Sequence, residues 1–444
     1  MVAFSAIFQT ALGLSAAKDL TSLFGPYLSP QAEIFYGNDT DFYVQLQQRW
    51  TDYKAPSYGA GAIKPATAKD VQNIVKIANA NSIRFFVTGG GHGISDYHEF
   101  DGLSIDMAKF NTVERNAAGD RLTIGGLPLG SCACVGVVGA TLGGGIGSLH
   151  GLRGLLVDYL EEVEVVTASG DLVKASETEN KDLFWALRGA GSNYGIVTSA
   201  MYRLPEVTNK GVYVNADYVF PVSANESFFE VLEHFDNTLP SRLAITGASF
   251  FDRVNNKPVI AVNAVFFGSL EEALPYLQPF ESLQPQMMDA AFFNFFGMDN
   301  GACTPNQHIN IYTVALKQFH APTFLSFYSR LRYSNEGPMA VPDDATAYAF
   351  RDVKTYMNIE GFYADSSLDD AVNEFATLGR QEFAKTSGFD QLAVYSNYAR
   401  GDEGPIAWYG ERKLPMLSAL KRKWDPEQRF SVNNPVPLHW RSEL

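Results

Sequence analysis

Between Gly130 and Gly147 the chain places seven glycines in eighteen residues, Gly130-Ser131-Cys132-Ala133-Cys134-Val135-Gly136-Val137-Val138-Gly139-Ala140-Thr141-Leu142-Gly143-Gly144-Gly145-Ile146-Gly147. Glycine weakens helix and strand alike, so the segment is expected to form neither and to owe its order to something large lying against its backbone. A flat cofactor meets that demand. A second cluster comes earlier, where the apolar strand Arg84-Phe85-Phe86-Val87 runs into Thr88-Gly89-Gly90-Gly91-His92-Gly93. Backbone N–H groups in such a loop can converge on a diphosphate. Alone, that loop fits a structural turn better than a nucleotide site, and His92 a satisfied loop histidine better than a cofactor ligand. Cys132 and Cys134 without a second Cys or His pair give too few ligands for a metal. Buried apolar thiols are the other reading of Cys134.

The flanking pattern is α+β. Apolar positions at helical spacing (Val71, Ile74, Val75, Ile77, Ala78) follow Pro65. Strands are expected at Leu103 to Asp106, Leu122 to Ile124, Val163 to Thr167 and Ile196 to Tyr202, with a helix from Lys181 to Leu187. After about Pro205 glycine thins out. Strands at Val212 to Val219, Leu243 to Phe251 and Val259 to Phe267 then alternate with helices at Ser223 to Phe235 and Leu270 to Leu277. The run Phe292, Phe293, Phe295, Phe296 reads as core before ligand pocket. A last helix, Lys413 to Lys423, is halted by Asp425-Pro426.

Three further stretches join the two glycine clusters: Asp182-Leu183-Phe184-Trp185-Ala186-Leu187-Arg188-Gly189 with Asn193-Tyr194-Gly195-Ile196-Val197-Thr198, Tyr395-Ser396-Asn397-Tyr398, and Trp408-Tyr409-Gly410 with Lys421-Arg422-Lys423-Trp424-Asp425-Pro426 and Phe430. In this order, from about Ala55 to Asn434, the set resembles the berberine-bridge-enzyme-like oxidases of the vanillyl-alcohol-oxidase, PCMH-type FAD-binding superfamily. The resemblance implies an FAD-binding domain over residues 1–205, completed by 406–444, and a substrate domain over 206–405 whose sheet covers the flavin. It implies bicovalent FAD, held by His92 at the 8α-methyl carbon and by Cys132 at ring carbon C6. The cofactor-binding set is then Thr88, Gly89, Gly90, Gly91, His92, Gly93, Cys132, Val135, Gly136, Gly139, Gly143, Gly145, Gly195, Ile196, Val197 and Asn397. Tyr395 becomes the catalytic base, with Tyr348, Tyr356 and Glu360 next in line. A free tyrosine loses its proton near pH 10, so the role needs a donor or positive charge beside it. Tyr395 and Tyr398 as plain strand aromatics are the competing reading.

The chain departs from the family at one place. Gly125-Gly126 is followed at once by Leu127-Pro128-Leu129-Gly130-Ser131-Cys132, where the family has further strand and a helix, so an element is expected to be missing beside the flavin.

The expected activity is oxidation of a small, apolar secondary metabolite by FAD, with O2 as electron acceptor. Two readings of other classes stand beside it: a flavin-containing cyclase or isomerase without net redox, and a flavin-free binding protein if the shortened junction has abolished FAD binding. A net charge of −15 argues against nucleic acid or an anionic membrane as partner. No apolar stretch reaches the roughly 18 residues of a membrane span. Met1 to Ala17 is apolar, with Ser15-Ala16-Ala17 as a leader-type cleavage site, but no Lys or Arg precedes it. It reads as a short amphipathic helix before a signal peptide, and a cytoplasmic location is expected.

Overall fold

The structure is a computed structural model that describes residues 19–36, 49–126, 135–252, 254–294, 308–326 and 330–440. The N-terminal stretch read as helix or leader lies outside these residues, as do Cys132, Cys134, Phe295 and Phe296.

The helix Ala68–Ala80 forms where the apolar spacing put it. Thr67 and Asp70 cap it reciprocally, the Asp70 N–H donating to Thr67 Oγ1 at 3.1 Å and the Thr67 N–H to Asp70 Oδ2 at 2.9 Å. Val71, Ile74, Val75 and Ala78 are fully buried against a four-stranded sheet. That sheet runs β1 (Glu33–Phe35), β2 (Ser57–Lys64), β4 (Asp101–Asp106), β3 (Phe85–Thr88), with β2 and β3 parallel to β4. The Gly89 to Gly93 loop therefore leaves the carboxyl end of a parallel strand, the side on which open α/β sheets bind ligands.

A five-stranded antiparallel sheet follows, ordered β5 (Val113–Arg115), β6 (Arg121–Gly125), β9 (Ile196–Arg203), β7 (Leu160–Val166), β8 (Leu172–Ser176). The helix before β9 is drawn as Lys181–Ala190, but its helical dihedrals stop at Arg188 and Gly189, where φ reaches +138° at the glycine. The chain turns there to let the Tyr348 N–H reach Arg188 C=O at 3.0 Å, and a side chain on Gly189 would overlap Tyr348. Inside the glycine-rich segment the structure corrects the reading of no regular structure: Val137–Leu142 is a short helix, with Val138 and Thr141 buried.

The third sheet has seven antiparallel strands: β13 (Met287–Asn294), β10 (Val212–Pro221), β12 (Lys257–Phe266), β11 (Leu243–Asp252), β15 (Arg330–Tyr333), β16 (Thr355–Phe362) and β14 (Ile309–Leu316). One face packs an aromatic core (Tyr218, Phe220, Phe228, Phe280, Phe324, Phe383) under the helices Asn225–His234, Leu270–Glu281 and Asp369–Lys385. The other face meets the FAD-type half through Leu155, Val157, Tyr348, Tyr356 and Tyr395. The fold is thus the expected two-part α+β arrangement. Among the described residues no helix is long and apolar enough to cross a membrane. Tyr395 and Tyr398 are not strand aromatics: Tyr395 precedes a single 3-10 turn, Ser396–Tyr398, and Tyr348 also lies outside any strand.

The two halves are joined at His308, whose Nδ1 lies 2.9 Å from Asp52 and Nε2 2.8 Å from Asp369, with the rings of Tyr53 and Tyr363 edge-on to it. Burial lowers its pKa, but the two carboxylates outweigh that and raise it above the ordinary histidine value. A raised folded pKa stabilises below the unfolded value of about 6.5, and the gain is lost as pH rises through the folded value. Wild type is therefore expected to melt higher than His308→Gln at pH 5.5, with the gap shrinking on the alkaline side of neutrality. A gap that does not change with pH would show the clamp to be uncharged.

Candidate active site

Four distant stretches of chain enclose a cavity of about 540 Å³ between the first two sheets and the C-terminal segment, within the range of small-ligand and cofactor sites. Thr88, Gly89, Gly90, Gly91, His92 and Gly93 line it from the end of β3, and Val135, Gly136, Gly139 and Gly143 from the glycine-rich segment. Gly195, Ile196 and Val197 line it at the start of β9, and Tyr395 and Asn397 close it from the C-terminal side. Of the described residues expected to bind the cofactor, only Gly145 is not on this wall; Cys132 lies outside the described residues.

The triple glycine divides its work. A side chain on Gly143 would overlap Asn397, and one on Gly144, at φ +128°, the Tyr348 ring. Gly139 differs. A Cβ built there meets nothing within 4 Å, and the same holds at Gly147, so the cradle has room that no protein atom fills. Among the described lining residues there is no carboxylate, while Arg49 and Arg429 bring positive charge, that of Arg429 shared with Glu427 just outside the wall at 2.6 Å. In a chain of net charge −15 that is a local reversal suited to a diphosphate. Glycine walls, depth and charge all fit FAD.

His92 is half-buried, and burial, aided by the charge of Arg49, lowers its pKa to about 4. Its imidazole is neutral at physiological pH, the form with a lone pair free to bond carbon.

The Tyr395 hydroxyl is buried and its oxygen receives two donors, the Gly145 N–H at 3.0 Å and the Asn397 amide at 2.8 Å. The Asn397 amide also donates to Ala140 C=O at 2.8 Å, which fixes its orientation. Burial raises the tyrosine pKa against the pull of Gly145, Asn397 and the Ile146 N–H. Donors of the sort the role required are thus present, and Gly145 acts behind the wall through one of them. The Tyr356 ring stands 5.6 Å from that of Tyr395, and Tyr348 and Tyr356 share a 3.0 Å hydroxyl contact. Four residues along β16 from Tyr356, on the same face, Glu360 keeps an open surface yet loses enough water for its pKa to rise.

Sequence reasoning missed Arg49, Tyr97, Ser192, Arg429, Asn433 and Asn434, all on the cavity wall. The last three follow Lys421 and Asp425, which the sequence showed only as a helix end. Arg49 and Tyr97 sit in stretches with no glycine pattern or periodicity to mark them.

The chain matches the FAD binding domain family over residues 60–126 and 121–176 and the berberine and berberine-like family over residues 394–437. It is 85% identical to the FAD-linked oxidoreductase tazG of Aspergillus terreus, with all of both chains covered. That alignment has 489 positions, so this chain of 444 residues lacks a residue at 45 of them. The two pieces of the FAD-domain match overlap between Arg121 and Gly126, at the junction where an element was expected to be missing. Among solved structures, Physcomitrella patens BBE-like 1 superposes with a TM-score of 0.81 at 21% identity, covering 95% of this chain and all of that one. The glucooligosaccharide oxidase of Acremonium strictum, whose FAD is described as 6-S-cysteinyl, 8α-N1-histidyl, superposes at 0.78 and 20% identity, covering 94% and 98%.

Proposed function

Because this chain belongs to the berberine-like FAD-linked oxidoreductases, we propose that it oxidises a small, apolar secondary metabolite, with Tyr395 taking the substrate proton and FAD tethered through His92 and Cys132. Residues 1–205 with 406–444 hold the cofactor and 206–405 the substrate. Bound FAD supplies a hydride acceptor, and O2 carries the electrons away as hydrogen peroxide. The chain's own residues do the rest. The glycine walls at Gly89 to Gly93 and Gly136 to Gly147 admit the flat cofactor, and Arg49 and Arg429 offset its diphosphate charge. Tyr398, on the cavity wall, packs with Trp50 on the buried cluster of Ile94, Ile309 and Ile311, so an apolar core lies directly behind that part of the wall, and burying a polar substrate group there without a partner is costly.

The observation that carries the reading is the Tyr395 oxygen, buried at the cavity wall with two N–H groups aimed at it. Those donors favour the phenolate and work against the burial that raises the phenol pKa, so the oxygen, once deprotonated, is held where it can take the substrate proton and hand it on. Glu360 supports a second assignment of the base, since its raised pKa brings it nearer neutrality and it shares a strand face with Tyr356.

The purified protein is expected to be yellow with about one flavin per chain, and the flavin should stay with the polypeptide after acid precipitation. His92→Ala and Cys132→Ala should each keep it by the other bond, and only the double variant should release it all to the supernatant. Retention in the double variant would move the attachment elsewhere, and a colourless preparation would end the oxidase reading. Substrate-dependent O2 uptake separates oxidation from a cyclase or isomerase.

A further inference from the structure

His92 sits between two glycines in a loop that fixes no side-chain direction, yet its ring is held. The indole of Trp50 lies flat on the imidazole, centroids 4.2 Å apart and planes 10° from parallel. The Trp50 backbone N–H donates to Gly91 C=O at 3.0 Å, and Arg49 Nη2 donates to Gly93 C=O at 2.6 Å. One short strap thus grips the residues on both sides of His92 by their carbonyls and His92 itself by its face. The next residues anchor the strap to the seven-stranded sheet. Thr51 Oγ1 donates to Ile309 C=O at 2.8 Å and accepts the Ile309 N–H at 3.1 Å, and Asp52 meets His308.

An imidazole on a glycine loop turns about two soft side-chain torsions. A stacked indole removes tilt and leaves rotation only in the ring plane, and it shields one ring face from water. We propose that Trp50 is the positioning residue for covalent flavin attachment at His92, holding the imidazole so that a ring nitrogen faces the flavin 8α-methyl carbon. This rests on the reading of His92 as an attachment site. In the net step an imidazole N–H and a methyl C–H break and one C–N bond forms. Two electrons and two protons leave to O2 as hydrogen peroxide. The nitrogen needs its lone pair, and the cover given by Trp50, with the charge of Arg49, keeps the ring neutral. Among the described residues, Arg49 is the charged group that acts on His92.

The test uses the Cys132→Ala protein, in which His92 is the one remaining tether, produced under flavin limitation and then mixed with FAD. Adding Trp50→Ala is expected to slow the growth of acid-stable flavin at least about tenfold while total bound flavin changes less than about twofold. Trp50→Leu, which keeps bulk without a ring, should behave like the alanine variant, and Trp50→Phe should restore most of the rate. The pH profile adds a readout that general loosening would not give. Attachment in the Cys132→Ala parent should stay level from pH 8 to 5, whereas with Trp50→Leu it should fall below about pH 6.5, where an uncovered histidine protonates. Equal rates with and without the Trp50 change, or no recovery with Phe, overturn the proposal. If Cys132→Ala alone carries no acid-stable flavin, the His92 assignment fails first and the proposal falls with it, an outcome visible before Trp50 is touched.

Discussion

Tyr395→Phe is expected to slow flavin reduction in a single turnover by on the order of 10²-fold or more while flavin content stays near that of wild type. The ring remains, and with it the packing on Tyr356 and Tyr398. What goes is the oxygen that receives the Gly145 N–H and the Asn397 amide. Leaving the buried Gly145 N–H without an acceptor costs about 1–3 kcal/mol of stability, so the variant should also melt lower. The two effects are separable, because lost stability lowers the amount of folded enzyme and a lost base lowers the rate per bound flavin. The pH dependence gives a second check. Burial holds the Tyr395 phenol above its ordinary pKa, so the wild-type rate should climb with pH, and the climb should vanish in the Phe variant. If the rate is unchanged, the proton goes elsewhere and Glu360→Gln becomes the variant to measure.

The largest stability effect is expected at Lys421. Its ammonium group is fully buried and spends all three protons, on Asp425 Oδ2 at 2.7 Å, Asn193 C=O at 2.8 Å and Phe430 C=O at 2.9 Å. Asp425 in turn accepts the N–H groups of Arg429 and Phe430 at 2.7 and 2.9 Å. The pair therefore fastens the C-terminal wall of the cavity, Arg429 to Asn434, onto the turn before β9. Lys421→Met leaves a buried carboxylate without its cation and is expected to cost about 3–5 kcal/mol, read as a lower urea midpoint. Adding Asp425→Asn removes the stranded charge and keeps one acceptor oxygen, so the double variant should regain part of the loss. A single variant within about 0.5 kcal/mol of wild type would show the pair to be dispensable.

The shortened junction after Gly126 was read from a motif of fixed order that had lost an interval, and the match to the FAD binding domain family divides into two pieces that overlap there. Strand β14, in contrast, gave no signal. All eight of its residues are buried, and a strand covered on both faces has no alternation to read. The helix Asp369–Lys385 escaped for a related reason, since exposed Phe375 and Leu378 interrupt the contrast between its faces.

What the sequence determined by itself was everything that contiguous residues impose on their own backbone. That covers the strand running into Gly89 to Gly93, the helix that stops at Leu187, the arrest at Asp425-Pro426 and the ordered motifs that mark an FAD-linked oxidoreductase. The tertiary structure alone decided what those residues do chemically. Lys421 reads as a surface helix lysine until Asn193, 228 residues earlier, is set beside it. Tyr395 reads as an ordinary aromatic until Gly145, 250 residues away, donates to its oxygen. His92 is held neutral only when folding buries it beside Arg49, and its ring is stacked only when folding brings Trp50 onto it. Backbone preference is local and so is written in order along the chain, whereas protonation and side-chain direction depend on burial and on donors that only folding brings within reach.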